Sequence, residues 1–260
     1  MPTFSIKMFR LINKVILFTA ILSVSYIGCL SAQEIHKEKI TILFGHRFPP
    51  FYSIINKSEI HPQFKGLFID ILEKFAKSHP QYEIEYKCLP RERINKVLTE
   101  EKADCFALSD PMFLSKEIQS KFVHSVPLWK LSDHLLVRVN SDITESNIEK
   151  LSGKKIAVLH GNSYGPLDEY FSKGIIHKQA VYRTSQFFKL LMAGRVDGAI
   201  CNKKTLPALI SRSKYSKDAF RLIENPLYEY NLHLLITRNK LDFLADFNAF
   251  IIENKIPALN

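Results

Sequence analysis

The chain has 260 residues, 46% hydrophobic and 24% charged, with 9 Gly, 12 Pro and 4 Cys. That composition excludes a disordered, collagen-like or disulfide-dense protein and allows one large domain or two small ones. The formal net charge is +10, but Lys7, Arg10 and Lys14 lie in a first segment of 32 residues without an acid, so the remainder carries 33 basic against 26 acidic residues, net +7.

That first segment reads as an export signal. After the basic residues comes an uncharged run of 13, Val15 to Ile27 (VILFTAILSVSYI), which fits a signal's apolar region and is short for a membrane span. Leu30-Ser31-Ala32 supplies small residues for cleavage after Ala32, making Gln33 the mature start and the protein periplasmic. An uncleaved anchor through Ala32 and lipidation at Cys29 are the alternatives. The remaining positives are scattered (Lys57, Lys65, Lys116, Lys173, Lys203, Lys240), the pattern of a solvated surface, and no nucleic-acid partner is expected. Cys88, Cys105 and Cys201 are odd in number and form no CxxC. They read as buried free thiols on strands, with neither metal nor cofactor expected.

In chain order, Lys39 to Phe44 (KITILF) is a β-branched run that stops at Gly45 and Pro49-Pro50, which block helix and ladder alike. Gly66 to Lys77 predicts a helix with Leu67, Ile71, Leu72 and Phe75 on one face, ended by Ser78-His79-Pro80. Tyr82 to Cys88 predicts a strand, Glu92 to Glu100 a helix and Asp104 to Leu108 a strand. This order is that of a parallel α/β sheet with right-handed crossovers. It then restarts: strand Lys154 to Leu159, turn Gly161 to Gly165, helix from Pro166 to Phe171, strand Ala180 to Arg183, helix Ser185 to Ala193, strand Gly198 to Cys201. Two similar runs, His134 to Val139 (HLLVRV) and His233 to Arg238 (HLLITR), close the two units. They suit a pair of crossover strands, with the final helix, Leu241 to Ile252, returning to the first unit. Two lobes with two crossings make a cleft and a hinge.

Six motifs in order carry a family resemblance: Phe48-Pro49-Pro50-Phe51-Tyr52; Gly66-Leu67-Phe68-Ile69-Asp70; Lys102-Ala103-Asp104; Ser125-Val126-Pro127-Leu128; Leu151 to Val158 (LSGKKIAV); and Gly194 to Ile200 (GRVDGAI). The chain resembles the family 3 extracellular solute-binding proteins, the bilobal receptors of polar amino acid ABC transporters, from about Ile40 to Ile252. The resemblance implies an α/β, type II periplasmic-binding-protein-like fold with two parallel-sheet, Rossmann-like lobes joined by two crossover strands. It sets lobe 1 at 33–132 and 232–260, lobe 2 at 133–231, and the signal at 1–32. It implies a monomer that captures a small polar solute between its lobes, with an ABC permease or a membrane sensor as partner.

The candidate ligand-binding residues are Phe48, Phe51, Tyr52, Arg93, Ser109, Ser163, Tyr164 and Asn202. An aromatic beside a rigid Pro-Pro loop at the end of a strand is placed to roof a ligand, because open α/β sheets bind at strand carboxyl ends. Gly161 to Gly165 precedes a helix, so its N–H groups and the Ser163 hydroxyl suit an anion or a plain cap. In amino-acid binders of this family an arginine clamps the ligand carboxylate and an acid receives its ammonium; those positions here are Ile118 and Asn202. A neutral, aromatic or singly charged ligand is therefore expected. Pro90-Arg91-Glu92-Arg93 resembles the PWxR segment of a divergent branch, which makes Arg93 either a replacement clamp or a surface arginine. No nucleophile motif, metal motif or phosphate loop occurs, and no catalysis is expected. The enzymatic alternative is a cyclohexadienyl-dehydratase-like protein with Asp110 as general acid, against Asp110 as a loop cap.

Overall fold

The β-branched and aromatic residues of Glu38–Phe44 form β1, whose last five residues are buried. The computed structural model describes residues 37–45, 47–56 and 62–256, so the expected signal and its cleavage point lie outside the described residues. Lys39–Asn260 forms one compact unit, and everything below concerns it.

After β1 come a hairpin of β2 (Arg47–Phe48) and β3 (Tyr52–Asn56), then β4 (Gln63–Lys65). These three strands form a small sheet of their own. The sequence predicts only a loop there, because Pro49-Pro50 occupies the hairpin turn between β2 and β3, and two-residue strands leave no periodicity to read.

Helix α1 (Leu67–Ser78), β5 (Tyr82–Cys88), α2 (Arg91–Thr99) and β6 (Cys105–Ser109) follow. Leu67, expected on the inner face of α1, is 37% exposed, while Phe68 is fully buried in its place. Phe68 lies three and four residues before Ile71 and Leu72, which gives it the same helical face. A 3-10 turn (Pro111–Phe113), α3 (Lys116–Lys121) and β7 (Phe122–His124) lead to the long strand β8 (Trp129–Arg138).

The second round comprises α4 (Ile148–Leu151), β9 (Lys155–Leu159), α5 (Leu167–Ser172), β10 (His177–Val181), α6 (Ser185–Met192) and β11 (Gly198–Asn202). Then come α7 (Leu206–Ile210), β12 (Phe220–Leu222), the long strand β13 (Tyr228–Thr237) and α8 (Leu241–Glu253). Strand β10 starts three residues before its expected place. As an edge strand of the sheet it accommodates the polar His177, Lys178 and Gln179, which lack the apolar signal of a central strand.

The large sheet runs β10-β9-β11-β8-β13-β6-β1-β5. Each end repeats one order: first strand in the middle, second outside it, third inside (β5-β1-β6 and β10-β9-β11). The β1/β6, β9/β10 and β9/β11 pairs are parallel. The centre is antiparallel, with β8 and β13 paired from Tyr228↔Asp133 to Leu232↔Trp129. Beyond those five residues each strand changes partner: β8 goes to β11 through His134, Leu135 and Leu136, and β13 goes to β6 through His233, Leu235 and Ile236. The paired HLL runs therefore mark where each strand has arrived. The crossing itself is the five-residue ladder before each run.

Helix α8 closes on α1 through aromatics. The Phe75 ring has centroids of Phe243, Phe247 and Phe250 at 5.5, 5.4 and 5.5 Å, and Phe75, Phe243 and Phe247 are fully buried. Aromatic burial of this kind dominates core energetics. Phe75→Ala should lower unfolding free energy by about 3–5 kcal/mol in urea titration. Ile252→Ala, at a side chain 64% exposed on the same α8, should change it by no more than about 0.5 kcal/mol.

Candidate functional site at the seam between the sheet halves

Open α/β sheets place ligands beyond the carboxyl ends of strands where the strand order reverses. In the first half those ends are β1 and β6, followed by Gly45 and by Asp110; in the second they are β9 and β11, followed by His160 and ending at Asn202. The two sets meet across a seam. A Cβ on Gly161 (φ +78°) would stand 3.0 Å from Glu92 Cγ and 3.5 Å from Arg91 Cβ, and one on Gly165 (φ +55°) would stand 2.8 Å from Met112 Cε. Both positions combine a left-handed backbone with a close neighbour from the other half, and glycine satisfies both demands. At the rim, His160 Nε2 meets Glu92 Oε1 in an ion-pair contact, and the His160 ring packs on Tyr182 at 4.7 Å.

Deeper in the second half, Asp133 on the crossing ladder collects three donors. Its Oδ1 accepts from Asn202 Nδ2 at 3.1 Å and Tyr230 OH at 2.9 Å, and its Oδ2 from Tyr228 OH at 3.1 Å. Burial pushes this carboxyl above its usual range, and the Asn202, Tyr230 and Tyr228 donors pull it part of the way back. The rings of Tyr228 and Tyr230 meet Phe113 of the first half at 5.9 and 4.9 Å. Burial also raises the Cys201 thiol next in the chain to Asn202, which keeps it an unreactive hydrophobe. Cys88, Cys105 and Cys201 form no disulfide among the described residues.

The first half contributes one unusual group, Arg91 at the start of α2. Its guanidinium lies 4.6 Å over the Phe106 ring. Burial lowers its pKa to about 10, leaving it cationic at neutral pH. It makes no hydrogen bond or ion pair among the described residues. A partly buried guanidinium with five unused N–H donors is a strong reader of planar anions.

The predicted site residues divide accordingly. Arg93 is exposed and turned away from the interior. Phe51 is fully buried and packs on Trp129 at 4.7 Å, and Tyr52, 5% exposed, packs on Phe44 at 5.0 Å; both belong to the core. Phe48 is only partly buried, with its ring 5.0 Å from Phe51. Ser109 is buried at the end of β6. The Ser163 hydroxyl donates to Asp168 Oδ2 at 2.6 Å, which also receives the Tyr164 N–H at 2.8 Å, while Tyr164 OH accepts the Leu159 N–H at 2.6 Å. Asn202 is fully committed: its Nδ2 also donates to Ser132 O and Tyr230 OH, and its Oδ1 accepts from the Lys204 and Thr205 N–H groups. Asp110 accepts the Met112 N–H at 2.9 Å through Oδ1 and the Asn231 N–H at 2.8 Å through Oδ2.

Arg91 and Asp133 were missed from the sequence. For Arg91 a signal existed, since it precedes the buried Ile94 and Leu98 by three and seven residues, the spacing of one helical face. Arg93 does not share that face.

No protein-family model matches the sequence, and no curated protein does. Solved structures do match in shape. The arginine-bound form of truncated ArgBP from T. maritima is 19% identical over 83% of this chain and 96% of its own, at TM-score 0.64. The substrate-binding protein of an amino acid ABC transporter is 20% identical over 84% and 93%, at 0.63. A histidine kinase sensor domain similar to periplasmic binding proteins is 14% identical over 85% and 91%, at 0.68. The fold is that of the periplasmic binding proteins, α/β with two sheet-based lobes.

The raised Asp133 pKa fixes the sign of a pH effect. A carboxyl that holds its proton more tightly when folded stabilises the fold fully below its unfolded value, near 3.8, and that contribution is lost as pH rises through the folded value. Asp133→Asn should therefore gain stability relative to the parent between pH 4 and 7 in paired urea titrations. A constant difference across that range would contradict the assignment.

Proposed function

We propose that the chain is an exported, periplasmic solute-binding protein that closes its two sheet halves on a small polar solute and presents it to the membrane permease of an ABC transporter. The observation that supports it most is the seam. Arg91, whose guanidinium is unpaired among the described residues, has its Cβ beside Gly161 of the other half, so an anionic group drawn to it would bind next to the seam. The crossing ladder of β8 and β13 is the natural hinge, and the His160–Glu92 contact forms only when the halves meet. Both Asp110 oxygens hold backbone N–H groups, which favours a cap over a general acid and a binding role over catalysis. The sensor domain among the structural neighbours supports a second reading, in which the closed form is reported to a membrane signalling partner.

A thermal-shift screen against carboxylates, amino acids, amines and oligopeptides tests the proposal. A ligand at 100 times its dissociation constant adds about 2.7 kcal/mol of stability, or several degrees. Arg91→Ala should weaken an anionic ligand by about 2–5 kcal/mol, while Arg93→Ala should leave it within about 0.5 kcal/mol. Silence across all four classes would contradict a receptor function.

A further inference from the structure

We infer that the helical layer on the outside of the second half is a docking surface for an anionic phospholipid bilayer. Residues 183–217 hold eight Lys or Arg and a single acid, Asp197, a net of +7. The chain from residue 33 onward also carries +7, so everything outside this stretch balances to zero.

The fold gathers the stretch on one side of the sheet. Helices α6 and α7 both pack on β9 and β11, through Phe187, Phe188, Leu191 and Leu206 against Ala157, Ala199 and Cys201. Arg183 and Lys203 follow β10 and β11 at one end of the layer, Lys189 lies on the exposed side of α6, and Arg195 and Lys217 precede β11 and β12 at the other end. All eight cations except Lys204 are exposed, and those seven make no ion pair among the described residues. The first half differs, for Lys39, Lys87, Lys96, Lys102 and Lys121 each meet a glutamate.

Apolar groups border the same layer. Three of the seven large apolar side chains exposed among the described residues belong to it: Tyr182 beside Arg183, Met192 three residues from Lys189 on α6, and Val139, whose N–H donates to Ala219 O at 3.0 Å. Uncommitted cations with a tyrosine and aliphatic groups among them fit a bilayer interface. There each Lys or Arg strengthens binding to an anionic surface roughly fivefold, and tyrosine settles at the level of the headgroups. A protein partner fits less well, because protein interfaces are depleted in Lys and gather their apolar side chains at a centre. Here four of the seven cations are Lys, and the three apolar groups stand at or beside three different elements.

Vesicle co-sedimentation of the full chain tests this, with phosphatidylcholine vesicles carrying about 30% phosphatidylglycerol set against pure phosphatidylcholine in about 50 and 300 mM NaCl. The expected result is at least 10-fold tighter binding to the anionic vesicles at low salt, falling at least 10-fold at high salt. Lys189→Gln, Arg212→Gln, Lys214→Gln and Lys217→Gln combined should cut that binding at least 10-fold. The same change at four exposed lysines of the first half, Lys65, Lys74, Lys77 and Lys116, should alter it less than about threefold, with both variants melting at the parental temperature. The two variants keep residues 1–32 and share one net charge, so equal binding by both would assign the effect to that first segment or to overall charge and overturn the inference. Equal affinity of the parent for the two vesicle types would overturn it as well. So would absence of vesicle binding, and salt-sensitive binding to poly-L-glutamate in its place would put an acidic polypeptide where the lipid is proposed.

Discussion

Five residues of antiparallel ladder, Trp129 to Asp133 against Tyr228 to Leu232, are the constraint on which the rest of the structure depends. Each strand leaves that ladder for a different half of the sheet, so the halves communicate through two adjacent backbones and through whatever meets at the seam. Antiparallel pairing suits this role because its bonds run perpendicular to the strands, and the two can twist together without losing register. Asp133 stands at one end of the ladder and ties it to β11 through Asn202 and to β13 through Tyr228 and Tyr230. A buried carboxylate with three convergent donors is costly to rearrange, which fixes the register of the ladder at that end.

The chemistry at the seam follows from what the fold leaves uncommitted. Polar side chains on the second half are tied to one another or to backbone: Ser163 to Asp168, Tyr164 to Leu159, Asn202 to its five partners. On the first half Asp110 is a cap and Tyr52 is core. Arg91 stands apart, being charged, partly buried and unpaired among the described residues.

Much of the fold was legible because it is repetitive. Hydrophobic periodicity and turn residues marked both rounds of strand and helix, with boundaries within a few residues, and the HLL runs marked both long strands. The crossing ladder was less visible because Lys130, Ser132, Glu229 and Asn231 interrupt its apolar residues. The β2-β3-β4 sheet was invisible, since its strands are too short for a period and Pro-Pro reads as an end.

The candidate residues of the seam were less legible than the fold. Strand carboxyl ends and the Gly161 to Gly165 loop pointed to the seam, but Arg91 and Arg93 stand two positions apart in the motif and about 200° apart on a helix, and only the spacing to Ile94 and Leu98 separates them. Asn202 drew attention as a substituted acid, whereas its amide supports Asp133, a partner 69 residues away in sequence. No local pattern encodes such a contact. Small-angle X-ray scattering of the protein with and without a solute that stabilises it tests the central claim most directly. Closure about the β8/β13 ladder predicts a smaller radius of gyration when the solute is bound, a change absent from Arg91→Gln at the same concentration. Identical scattering curves for parent protein with and without a saturating solute would contradict closure as the mode of binding.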